Sequence, residues 1–151
     1  MDTRPTVQLD DLYQEILLDH FKHPRNSCRL SDEEALVGEE NPACGDEIRL
    51  TGKVEDHVLK EIRYEVHGCV ISVASTSMMS EALTGKPVGE ARKMIQDFVG
   101  LMTARKPLTA DLGELAALEG VNRYPSRIKC ATMSWHALDH ALDRLDGPAK
   151  E

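Results

Sequence analysis

The chain has 151 residues, 41% hydrophobic and 29% charged, which suits one globular domain spanning 1–151 with a core large enough to stand without disulfides. Its net charge of −8 speaks against nucleic acid as a partner, because phosphate binding needs clustered Lys and Arg. No stretch approaches the ~18 apolar residues of a membrane span, and residues 1–9 lack the apolar core of a secretory signal, so a cytoplasmic location is expected. In that reducing compartment the four cysteines read as metal ligands or reactive thiols in preference to disulfides.

In chain order, the first helix is expected over about Asp10–His20, with Leu12, Ile16 and Leu17 on one side and Pro24 ending it. A polar, irregular segment follows from Arg25 to about Asn41, its acidic run at Ser31–Glu40 read as solvated surface. Two strands come next. Ile48, Leu50 and Val54 alternate with polar residues, as do Ile62, Tyr64 and Val66, and the turn falls near Glu55-Asp56-His57.

A Ser/Ala/Met-rich helix is expected over about Ile71–Thr84, stopped by Gly85 and Pro87, and another over about Val88–Met102. A short helix is placed around Leu112–Leu118. The last helix runs from about Ser126 to Leu145, with an apolar stripe of Ile128, Ala131, Trp135, Leu138, Leu142 and Leu145. The expected class is therefore α+β: a small antiparallel sheet, built on a β-hairpin, packed against several α-helices.

The hairpin carries a spatial expectation. An antiparallel pair brings the start of its first strand beside the end of its second. Cys44 and Asp46 precede the first strand and Gly68-Cys69 follow the second, so two thiols and a carboxylate should meet at its open end. Cys69 and Cys130 also sit at or near helix starts, where unpaired N–H groups favour a thiolate. Cys130 flanks the stripe of its helix, beside Ser134, Ala137 and Ala141. Three thiolates and one carboxylate would complete a tetrahedral zinc shell and would equally suit an Fe–S cluster. The competing reading is that these cysteines are unrelated buried thiols.

Other residues receive plainer readings. Cys28 is taken as incidental, and His20 and His23 as helix-end residues. His136 and His140 have the i, i+4 spacing of a helical zinc site, but Ala137 stands where such a motif has Glu, so they read as a solvated pair. Ser75, Thr76 and Ser77 lack any nucleophile-elbow or phosphate-loop context and read as packing residues.

These residues together resemble the U-type iron–sulfur assembly proteins (IscU/NifU-like), specifically the SufU branch. The likeness runs through Leu12-Tyr13-Gln14-Glu15-Ile16-Leu17-Leu18-Asp19-His20 and His23-Pro24-Arg25-Asn26, then Asn41-Pro42-Ala43-Cys44-Gly45-Asp46. It continues in Gly68-Cys69-Val70-Ile71-Ser72 and Ala74-Ser75-Thr76-Ser77-Met78-Met79, and closes on Arg127-Ile128-Lys129-Cys130-Ala131. Lys129, where IscU-like proteins carry His, and the extra segment Lys106–Tyr124 both favour SufU.

The resemblance implies a Zn2+ shell of Cys44, Asp46, Cys69 and Cys130, with Cys44 accepting sulfur from the persulfide of a PLP-dependent, SufS-like cysteine desulfurase. A partner histidine would replace Cys44 on the metal during docking, and sulfur would pass on to a downstream cluster-assembly scaffold. Arg127 reads equally as electrostatic support for the site or as plain surface charge. The alternatives are a scaffold building an Fe–S cluster on the same ligands, and a zinc-stabilised interaction domain.

Overall fold

The computed structural model of the chain describes residues 14–42, 45–104 and 113–147. Helix α1 occupies 14–22 and ends before Pro24, whose ring disfavours helix in the residue ahead of it. Strands β1 (Val37–Asn41), β2 (Asp46–Glu55) and β3 (Val58–His67) follow. Helices α2 (Val70–Leu83) and α3 (Val88–Ala104), a 3-10 segment (Gly113–Arg123) and helix α4 (Pro125–Asp146) complete the order.

The three strands form an antiparallel sheet in the order β1-β2-β3. Its α+β architecture is the expected one. Strand alternation sends Ile48, Leu50, Leu59, Ile62 and Tyr64 into the core. Between β2 and β3 only Asp56 and His57 turn the chain, with φ of 52° and 61°. Two consecutive left-handed residues are what a tight hairpin matched to strand twist requires. A register shift at Lys53/Val54 marks a bulge just before this turn.

The segment 25–41, expected to be irregular throughout, contains β1. Val37↔Leu50 and Asn41↔Asp46 bracket its pairing with β2. An edge strand needs apolar residues on one face only, and its acidic residues discourage pairing with another chain. That is why Val37-Gly38-Glu39-Glu40-Asn41 carries so weak a strand pattern.

Helix α2 is buried on nearly every side, including Ser72, Ser75, Thr76, Ser77 and Ser80. These small residues serve close packing, and their hydroxyls are satisfied: Ser75 Oγ donates to the Ala131 carbonyl at 2.6 Å and accepts the Trp135 indole N–H at 2.9 Å. Trp135 stacks on Phe98 with ring centroids 4.1 Å apart, joining α3 to α4. In the 3-10 segment Leu115, Leu118 and Val121 are buried in steps of three, the period of that helix. Pro125 opens α4 at a position where its missing N–H costs nothing, and Gly147 with φ 80° ends it. No helix among the described residues is long and apolar enough to cross a membrane.

On the solvent face of the sheet, Glu65 accepts the Leu30 amide at 2.8 Å and lies 2.7 Å from the His67 ring. The Leu30 amide, then His67, hold its carboxyl down at about 2 from an ordinary 4.5. A pKa lower in the folded than in the unfolded chain adds stability that is complete above the unfolded value and disappears as pH falls through the folded one. Glu65→Gln is therefore expected to melt below wild type at pH 7, with the gap closing as pH falls from about 4.5 to about 2. Thermal melts across that range check it; a gap independent of pH would refute it.

Candidate metal centre

The turn between β1 and β2 is closed by Asn41↔Asp46 pairing and by the Gly45 amide donating to the Asn41 carbonyl at 2.9 Å. Gly45 has φ +72°, a conformation that favours glycine. Cys44, expected in this turn, lies outside the described residues. Asp46 opens β2 and is 1% exposed. Because Glu47 pairs with His67, the residues just beyond β3 come alongside Asp46.

Gly68 is the first of them. A Cβ there would fall onto the Asp46 carboxylate and lie 2.5 Å from Ser72 Oγ. Only glycine lets the backbone come this close. Cys69 follows as the N-cap of α2, without a side-chain cap and with no acidic residue in the first turn. The helix start therefore keeps its positive end for an anion. The Cys69 amide donates to Asp46 Oδ1 at 3.0 Å, while its Sγ lies 4.0 Å from Asp46 Oδ2 and 3.8 Å from Ser72 Oγ.

Cys130 arrives from α4, fully buried. One ligand atom each from Asp46, Cys69 and Cys130 lies within 4.8 Å of the others. The open end of the hairpin thus brings Asp46 and Cys69 together, and α4 adds Cys130 to them. Arg127, exposed and one helical turn before Cys130, has its guanidinium beside both sulfurs. The hydrogen bond to Cys130, then the charge of Cys69, raise its affinity for its proton. Ser72 also belongs to this group, and its signal in the sequence is the Cys-x-x-Ser spacing at a helix start, which puts both side chains on one face.

The remaining residues stay apart. Cys28 is half-buried, its amide donating to the Tyr64 carbonyl at 2.8 Å. His67 points to the solvent face, beside Glu65. His136 is exposed, and His140 Nδ1 lies 2.8 Å from Glu39 on β1. Neither helical histidine belongs to a metal-sized group among the described residues.

Do the donors fit zinc? With Zn–S near 2.3 Å and Zn–O near 2.1 Å, tetrahedral donors stand about 3.6–3.8 Å apart. The Cys69–Asp46 separation of 4.0 Å and the 4.8 Å bound on the group are within a small contraction of that. Thiolates with one carboxylate are borderline-soft ligands, suited to Zn2+ and also to iron–sulfur clusters.

Residues 12–131 match the family model described as the NifU-like N terminal domain. The chain is 42% identical over 142 residues to the zinc-dependent sulfurtransferase SufU of Bacillus subtilis, covering 93% of this chain and 96% of the relative. It is 39% identical over 138 residues to the iron–sulfur cluster assembly scaffold protein IscU of Streptococcus pyogenes, covering 91% and 86%. The crystal structure of a putative iron–sulfur cluster assembly scaffold protein for the SUF system from Fervidobacterium islandicum superposes with a TM-score of 0.77 at 29% identity, over 85% of this chain and 94% of that one. The chain therefore belongs to the NifU-like N-terminal domain family, in the SufU branch of the U-type iron–sulfur cluster assembly proteins.

Proposed function

We propose that this chain is a zinc-dependent sulfurtransferase that takes sulfur from the persulfide of a PLP-dependent cysteine desulfurase onto Cys44 and passes it toward iron–sulfur cluster assembly. The observation that carries the proposal is the convergence of Asp46, Cys69 and Cys130 at one end of the sheet. Cys44 stands two residues before Asp46 in the sequence, and two residues of chain span at most ~7 Å.

Cys44, Asp46, Cys69 and Cys130 would hold the metal. Bound zinc would keep the thiols deprotonated at neutral pH. The start of α2 and the Arg127 guanidinium offset the negative charge that three thiolates and a carboxylate accumulate. Gly45 supplies the backbone freedom that a departing and returning Cys44 needs.

In the transfer, the Cys44 thiolate attacks the terminal sulfur of the desulfurase persulfide. A new S–S bond forms on Cys44, the old one breaks, and the desulfurase cysteine leaves as a thiolate. The exchange needs no external oxidant or reductant.

A scaffold reading is favoured by the 39% identity to a protein named IscU, since the same ligands would hold a cluster. One experiment separates the two. The zinc-loaded protein is incubated with a cysteine desulfurase and cysteine, and persulfide is mapped by mass spectrometry after alkylation. Persulfide on Cys44, absent from a folded Cys44→Ala variant that no longer stimulates the desulfurase, is the expected result. Persulfide on Cys69 or Cys130 with a fully active Cys44→Ala variant would overturn the assignment. A brown, iron-containing protein with no persulfide would favour the scaffold.

A further inference from the structure

We propose that His20, Glu81 and Glu114 form a second metal site, separate from the thiol group, that takes a divalent first-row ion of the Mn2+/Fe2+ type through one imidazole nitrogen and two carboxylates. One ligand atom from each of the three lies within 4.8 Å of the others. Glu81 is twelve residues beyond Cys69 on the same helix, about 18 Å away at 1.5 Å per residue.

A pair of exposed glutamates is ordinary; the histidine between them is not. His20 is completely buried, yet its Nε2 has no hydrogen-bond partner among the described residues. The closest anion is Glu114 Oε1, at 3.5 Å. The other ring nitrogen is firmly held, with Nδ1 2.7 Å from Ser77 Oγ.

The surrounding bonds orient the ring. Ser77 Oγ also accepts the Arg25 amide at 2.9 Å. Tyr64 in turn donates to the Arg25 carbonyl at 2.6 Å. The tautomer with Nδ1–H donating to Ser77 Oγ is the one in which Nε2 presents its lone pair to the carboxylates. A metal-binding histidine is commonly prepared in this way, by a bond from its other nitrogen that sets tautomer and orientation.

In that tautomer a buried lone pair facing two carboxylates is unfavourable unless a cation lies among them. Arg25 relieves part of this: its Nε lies 3.7 Å from Glu81 Oε2, but its shortest ion pair, 2.6 Å, goes to Asp19. Next to the carboxylates a cavity of about 200 Å3, lined by Met78, Glu81, Ala82, Glu114 and Leu115, leaves room for the water ligands that a three-ligand site requires. One nitrogen with two carboxylate oxygens is a harder donor set than the thiol group, so the two sites select different ions.

That contrast defines the test. Zinc-loaded full-length protein is titrated with Mn2+, which thiolates bind poorly, and free Mn2+ is read from its EPR signal. The expected result is one bound Mn2+ per chain. Glu81→Gln and Glu114→Gln, exposed and nearly isosteric, should each weaken it by at least about tenfold, while zinc content and melting temperature stay unchanged. Wild-type protein that binds no Mn2+, or glutamine variants that bind it as wild type does, would overturn the site. So would ring 15N shifts showing His20 as an imidazolium paired with Glu114 that Mn2+ does not perturb.

Discussion

Zinc-loaded protein is expected to melt about 10 °C above the metal-free form, and Asp46→Asn should largely abolish that difference. A ligand at 1,000 times its Kd stabilises the folded state by about 4 kcal/mol. For a chain of this size each kcal/mol is worth about 2–4 °C. Asparagine keeps the acceptor oxygen that the Cys69 amide uses at 3.0 Å, so the metal-free variant should melt close to metal-free wild type. It loses only the negative charge and the ligand strength of a carboxylate. Cys69→Ser and Cys130→Ser should act in the same direction. Calorimetry with and without a chelator, alongside metal analysis, checks all three. Full zinc occupancy with wild-type melting in every variant would show that these side chains do not hold the metal.

The route to this centre was readable from the alternation of Ile48-Arg49-Leu50 and Ile62-Arg63-Tyr64, because strand period and one tight turn suffice to bring Asp46 and Cys69 together. The stripe of α4 sets Cys130 to one side of the core, whereas the folded helix buries that side as well, with Cys130, Ala137 and Ala141 wholly inaccessible. What could not be read depends on distant partners. Strand β1 is stabilised by pairing with β2 and by packing under α4, so its own residues need little apolar character. Helix α2 shows no apolar stripe because it is covered all round, and its hydroxyls are satisfied by carbonyls one turn back, as when Thr76 Oγ1 donates to the Ser72 carbonyl at 2.7 Å. The sequence marks His20 only as a helix-end residue. Its burial comes from α2, packed over it 57 positions later, and no local pattern announces such a contact.

Gly68→Ala is expected to disable the centre more completely than its single added methyl suggests. The new Cβ would lie 2.5 Å from Ser72 Oγ and 2.8 Å from Asp46 Cγ, inside the separation that real Cβ atoms keep. Neither neighbour can yield cheaply. Asp46 is buried and tied to the Cys69 amide, and Ser72 Oγ donates to the Cys69 carbonyl at 3.0 Å. Overpacking of this kind costs about 1–3 kcal/mol, here through displacement of the carboxylate from the two thiols. Zinc affinity should therefore fall by at least about tenfold, in line with the loss of a ligand's orientation. The metal-free variant should also melt several degrees below metal-free wild type. Gly89→Ala is the control: no atom lies within 4 Å of a Cβ built there, and alanine in α3 gains up to about 1 kcal/mol of helix propensity. If Gly68→Ala kept wild-type zinc affinity while Gly89→Ala behaved as expected, the close approach of Gly68 to Asp46 would not be what holds the carboxylate in place.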